Sequence, residues 1–165
     1  LEPENNAHVV IEAFEQVKTS MPLLIVGDAP YAPKYIERLK ATRDSRIRFP
    51  GAIYGKGYRE LQSHAYAYVQ ATEVGGTHPA LIEAMGAGNC VIAKDTPENR
   101  EVLSDAGLFF RDARDLARQM QLTLTDYELV RRLRGCAQEH AKAHYSWDAV
   151  TDAYEELFRT ISKAS

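Results

Sequence analysis

The sequence predicts an α/β domain: a Rossmann-like, doubly wound parallel sheet followed by a helical C-terminal tail. Three observations predict it. Short apolar runs occur without polar alternation, helical periodicity separates each run from the next, and the runs stop after Asp112. A strand buried on both faces reads as a continuous apolar run, and such strands belong to parallel sheets covered by helices. Strict succession of strand and helix implies right-handed crossovers and an open sheet.

The elements follow in order. Asn5 or Asn6 is placed to cap a first helix in which Val9, Val10, Ala13, Phe14 and Val17 recur with helical period, while Glu12, Glu15, Gln16 and Lys18 face away. Leu23 to Val26, entered from Pro22 and closed by Gly27-Asp28, is a buried strand. Tyr35, Ile36 and Leu39 mark a helix, Ile47 to Phe49 a strand, Tyr58 to Ser63 a helix, and Tyr66 to Val69 a strand. Pro79 to Gly86 reads as a helix opened by proline, Cys90 to Ala93 as a strand, Glu98 to Leu103 as a helical turn, and Leu108 to Phe110 as the last strand. Beyond Asp112, Leu116, Met120, Leu129, Leu133, Ala137 and Ala141 keep helical spacing. Ser146 caps a final helix with Val150, Tyr154, Leu157 and Ile161 on one side, and Asp148 in its first turn complements the dipole. No repeat, low-complexity segment or linker interrupts residues 1–165, which read as one domain.

Composition narrows the function. A domain of 165 residues buries roughly 70% of its unfolded surface and needs no covalent staples. Cys90 and Cys136 stand apart, without CxxC spacing or a Cys/His cluster, so neither a disulfide framework nor a metal site is expected, and a cytoplasmic setting fits. The 20 Lys plus Arg against 23 Asp plus Glu leave a formal charge of -3, which gives no broad field for nucleic acid. The longest uncharged stretch, Leu61 to Thr72, holds Gln62, Ser63, His64 and Gln70, so no transmembrane segment is expected. The chain opens at Leu1-Glu2-Pro3 without a charged-then-apolar leader, and reads as part of a longer protein.

In an open α/β sheet, ligands bind outside the carboxyl ends of the strands. The loops that qualify start at Gly27, at Gly51 with Tyr54 and Gly55, at Ala71 to His78, and at Lys94 to Glu98. In the third loop Glu73-Val74-Gly75-Gly76-Thr77-His78 runs straight into the helix opened by Pro79. The amides of Gly76, Thr77 and His78 can face an anion, the helix dipole reinforces them, and the paired glycines let a phosphate approach the backbone. An ordinary tight turn would use the same residues. Glu83 lies in an otherwise apolar stretch, Ala80 to Met85, and is expected to be buried and to need a partner, either ribose hydroxyls or a protein group. His78 has no Asp or Ser arranged around it to make it an acid or base. Tyr54, beside Gly51, is placed to touch a base.

Asn6 to Ala13, the Gly27 loop, Gly51, Gly75 to Met85 and Asn99-Arg100-Glu101-Val102 together resemble the C-terminal domain of retaining GT-B glycosyltransferases of family four, over nearly the whole chain. The resemblance implies a domain that binds a nucleoside diphosphate sugar, UDP- or dTDP-linked, with no metal and no other cofactor. It also implies an N-terminal acceptor domain outside this sequence, a saccharide or lipid-linked acceptor, and an isolated domain without transfer activity. The second member of the family's paired-glutamate signature matches Glu83. Counting back by its spacing reaches Gly75 rather than a glutamate, so Glu73 becomes the catalytic candidate beside the donor sugar. The family's lysine at the start of the first helix is replaced by Asn5, which shifts the pyrophosphate to the amides of Gly76 to His78, aided by Lys94 or Arg100. Glu-Pro-Glu-Asn-Asn with Glu-Val-Gly-Gly-Thr-His-Pro is similar to a bacterial subgroup associated with rhamnosyl transfer into surface polysaccharides. Such an enzyme would work in the cytoplasm, peripheral to the inner membrane face. The alternatives are a non-catalytic nucleotide-sugar-binding module and a GT-B sugar-nucleotide epimerase. A response-regulator receiver would need an aspartate where Ala71 stands.

Overall fold

The computed structural model describes residues 1–163. A single 3-10 turn, Pro3–Asn5, leads into α1 (Ala7–Phe14). Strands and helices then alternate: β1 (Leu23–Val26), α2 (Pro33–Lys40), β2 (Ile47–Gly51), α3 (Gly55–His64), β3 (Ala67–Gln70), α4 (Pro79–Gly86), β4 (Cys90–Lys94), α5 (Pro97–Leu103) and β5 (Leu108–Phe110). The tail is α6 (Ala113–Thr125), α7 (Tyr127–His144) and α8 (Trp147–Lys163).

All strand pairing is parallel, with Leu23 opposite Ile47, Ala67 opposite Cys90, and Ile92 opposite Leu108. Hydrogen bonding divides the strands into a β1-β2 pair and a β3-β4-β5 sheet, where the sequence suggested one continuous sheet. A common core nevertheless joins them. Ile25 and Ile47 share a cluster with Ile92, Phe110, Val10 and Phe14 of α1, and Leu116 and Met120 of α6. On the opposite face Val91 and Ala93 pack with Leu81 and Met85 of α4, Leu103 of α5, and Ala137 and Ala141 of α7. The first four residues of β4 are therefore all buried, which is why its sequence shows no alternation.

The starts of α5, α6 and α7 are capped by side chains, and those of α1 to α4 are not. Thr96 Oγ1 accepts from the Asn99 amide at 3.2 Å, Asp112 from Asp115 at 2.8 Å, and Asp126 from Leu129 at 2.9 Å. The first helix departs from expectation at both ends. Asn6 occupies its N-cap with φ 53°, but the side chain does not cap; it donates instead to the Ala71 carbonyl, 3.0 Å away. Asparagine tolerates this left-handed conformation better than most residues. The helix stops at Phe14, and Val17 is buried beyond it in non-helical chain. Arg46 closes that end: its guanidinium donates to the carbonyls of Phe14 (3.3 Å), Val17 (2.7 Å) and Thr19 (2.9 Å), stacks over the Phe14 ring, and pairs with Asp44. At the other end of the chain, every side chain described in α8 is exposed, including Trp147, Val150, Tyr154, Leu157 and Phe158. No described helix is long and apolar enough to cross a membrane.

Candidate functional site

The loop from Ala71 to His78 leaves β3 at its carboxyl end, and two neighbours fix it. From one side the 3-10 turn and the N-cap of α1 contribute Glu4 O, which accepts from the Glu73 amide at 3.3 Å; Asn5 Nδ2, which donates to Thr72 Oγ1 at 3.4 Å; and the Asn6 bond to Ala71. From the other, fully buried Asn99 donates through Nδ2 to the carbonyls of Thr72 (3.3 Å) and Lys94 (3.0 Å), tying together the loops after β3 and β4. Neither Asn6 nor Asn99 stands out from its local sequence as a clamp, because the groups they reach are remote along the chain.

The middle of the loop is the part with unused bonding capacity. Gly75 has φ 120°, and a Cβ there would lie 3.2 Å from His78 Cε1, so both conformation and space call for glycine. Around Gly76 a Cβ would meet open space. The main-chain amides of Gly76, Thr77 and His78 find no acceptor among the described residues. His78 is the N-cap of α4 and Pro79 its first residue, and no side chain caps this end. An uncapped helix start with adjacent free amides is suited to a phosphate. The His78 side chain is half-buried and packs over Gly75, with no acid or nucleophile hydrogen-bonded to it.

Glu83 lies one turn into α4 and is exposed, not buried as its apolar neighbours suggested, because it falls on the face of the helix away from Leu81, Ala84 and Met85, which face the core. Its Oε2 accepts from the Tyr58 hydroxyl at 2.7 Å. Burial first, and then this carboxylate, hold the Tyr58 phenol well above its ordinary pKa. Tyr54 is the N-cap of α3 and is 83% exposed, at the mouth of the loop after β2. Gly27 (φ 133°) and Gly51 (φ 83°) shape the loops after β1 and β2, but the Gly27 amide is committed to Gly51 O at 3.0 Å and so offers nothing to a ligand.

The charged side chains are arranged differently from expectation. Lys94 Nζ lies 2.7 Å from Glu73 Oε1 and 2.8 Å from Arg111 O, and its hydrogen bond, followed by one from Asn6, holds the Glu73 carboxyl below the usual range. Arg100 is paired with Asp95 and stacks on Phe109. Both cations that could have served a phosphate are thus engaged with carboxylates, while the amides of Gly76 to His78 are among the free donors of this loop. No group of three or more His, Cys, Asp or Glu suited to a metal occurs among the described residues.

Residues 1–126 match the family described as Glycosyl transferases group 1. The chain belongs to that family. Among curated proteins, this group 1 glycosyl transferase chain is 28% identical over 99 residues to Glycosyltransferase 1 domain-containing protein 1 of Xenopus tropicalis, covering 59% of this chain and 29% of that protein. Among solved structures it is similar to HepE of Anabaena in complex with UDP and glucose, with a TM-score of 0.89, 19% identity, and coverage of 97% of this chain and 46% of that one. It is also similar to sucrose-phosphate synthase from Thermosynechococcus elongatus, with a TM-score of 0.85, 23% identity, and coverage of 99% and 44%. The shared fold is that of GT-B glycosyltransferases, and the chain spans less than half the length of these relatives. One shallow concavity, of about 590 Å³, is lined by Asp28, Ala29, Pro33 and Ile36, beside the loop after β1.

Proposed function

We propose that this chain is the donor-binding domain of a retaining glycosyltransferase that moves a sugar from a nucleoside diphosphate sugar to a saccharide or lipid-linked acceptor, in the synthesis of bacterial surface polysaccharide. The observation that carries this reading is the run of unclaimed amides at Gly76, Thr77 and His78, with Glu83 one turn further along the same helix. The structures of HepE with UDP, and with UDP-glucose, support a nucleotide donor of this kind. In this reading the amides and the α4 dipole hold the diphosphate, Glu83 accepts from the pentose hydroxyls, and Tyr54 covers the base.

As the bond between the anomeric carbon and the phosphate oxygen loosens, negative charge grows on the leaving diphosphate. Fixed amide dipoles stabilise that charge without having to reorganise. Glu73, kept ionised by Lys94, stands beside the donor sugar in place of the glutamate absent at Gly75. The acceptor approaches from a second domain, on the face the donor leaves, so the isolated chain binds donor but transfers nothing. The protein works in the cytoplasm, against the inner face of the membrane.

The test is a panel of nucleoside diphosphates scored by the rise in melting temperature, with wild type and Glu83→Ala compared. UDP or dTDP should stabilise the wild type, and the substitution should weaken that ligand roughly tenfold, the scale of one charged hydrogen bond. Equal affinity in the two proteins would remove Glu83 from the site. The pairing of Glu73 with Lys94 favours a second reading, a binding module without catalysis. Sugar transfer restored by supplying an N-terminal Rossmann-like domain would decide against it.

A further inference from the structure

Glu83 is exposed, yet its carboxylate is not left to rotate freely. Tyr58 on α3 donates to Oε2 at 2.7 Å, and Gln62, one turn along the same helix and buried, donates through Nε2 to the Tyr58 oxygen at 2.8 Å. A phenol has one proton to give. With the Gln62 amide donating to its oxygen, that proton goes to Glu83. The two helices are locked together nearby: Asn89, 1% exposed, donates to the carbonyl of Gln62 on α3 (2.9 Å) and to that of Ala84 on α4 (3.0 Å). Oε2 of Glu83 is therefore committed, while Oε1 has no protein donor among the described residues.

We propose that Tyr58 is a positioning residue: by holding Oε2 of Glu83 it turns Oε1 toward the sugar hydroxyls of a bound nucleotide, and so makes the site select a ribonucleoside diphosphate over its 2′-deoxy counterpart. The inference rests on the reading of Glu83 as the pentose contact, and within that reading it favours UDP over dTDP as the donor's nucleotide. A carboxylate that swings among rotamers loses this selectivity before it loses affinity for the diphosphate, because an oriented acceptor is what distinguishes a pentose with both hydroxyls from one that lacks the 2′-hydroxyl.

The experiment titrates the full chain with UDP and with 2′-deoxy-UDP, in wild type, Tyr58→Phe, Glu83→Ala and the double variant, by calorimetry or amide shifts. The wild type is expected to prefer UDP roughly tenfold. Tyr58→Phe should reduce that ratio toward one by weakening UDP more than 2′-deoxy-UDP; Glu83→Ala should do the same, and the double variant should go no further. General loosening of the fold would weaken both nucleotides together, which the ratio does not register. A wild-type ratio of one, a Tyr58→Phe ratio equal to wild type, or UDP bound more tightly by Tyr58→Phe would each overturn the proposal. If Glu83→Ala collapses the ratio and Tyr58→Phe does not, the pentose reading stands and only the role of Tyr58 falls. If neither nucleotide binds the wild type, the donor-site reading itself fails.

Discussion

Lys94 shows how one side chain can be placed from the sequence while its partner within the fold cannot. Its place after a buried strand marks it as a residue at the carboxyl edge of the sheet, where ligands bind. The sequence does not reveal that Glu73, arriving from the preceding loop, takes its charge at 2.7 Å. The pair has a consequence in pH. Because the Glu73 pKa is lowered in the folded chain, its contribution to stability is present above the ordinary carboxylate pKa and is lost as pH falls through the lower, native value. Glu73 is 46% exposed, so solvent screening keeps that contribution small. Lys94→Met should move the Glu73 carboxyl upward in an NMR titration while leaving the melting temperature at neutral pH nearly unchanged. An unmoved Glu73 would mean that the pair does not persist in solution. Glu83 was legible by type and position but not by exposure, since its apolar neighbours suggest burial and only the direction of the helix face corrects this.

At the scale of elements, the strands were the most legible, β4 above all, because burial on both faces leaves a run without alternation. The helix opened by Pro79, α4, was legible to the residue, whereas the prolines that open α2 and α5 were not read as their first residues. The first helix was not. Its apolar period runs on into Val17, which is buried after the helix has ended, and its expected cap, Asn6, is drawn away to Ala71 by a contact between residues 65 positions apart. What ends the helix in space is Arg46, which satisfies the carbonyls of Phe14, Val17 and Thr19 from the start of β2. Arg46→Ala should therefore cost about 2 to 4 kcal/mol in urea unfolding, from several charged hydrogen bonds lost together and Asp44 left unpaired. A cost of a few tenths would show that water replaces the guanidinium without penalty.

For the whole molecule, the two faces of the sheet are closed by α1 with α6 and by α4 with α7, and no described α8 residue is buried. Removing residues 147–165 should leave the melting temperature within about 2 °C of the full chain, because nothing in either core is uncovered. A drop of several degrees would mean that α8 packs where its exposed apolar side chains do not show it. The division of the strands into two hydrogen-bonded sets was not visible in the sequence, because apolar runs identify buried strands without saying which neighbour each one pairs with. In an open parallel sheet, ligands bind outside the carboxyl edge. The most direct test maps main-chain amide shifts during a UDP titration: Gly76, Thr77 and His78 are expected to move first and furthest, with Gly75 following. Shifts confined to other loops, with those three amides unmoved at saturating UDP, would contradict their role in holding the diphosphate.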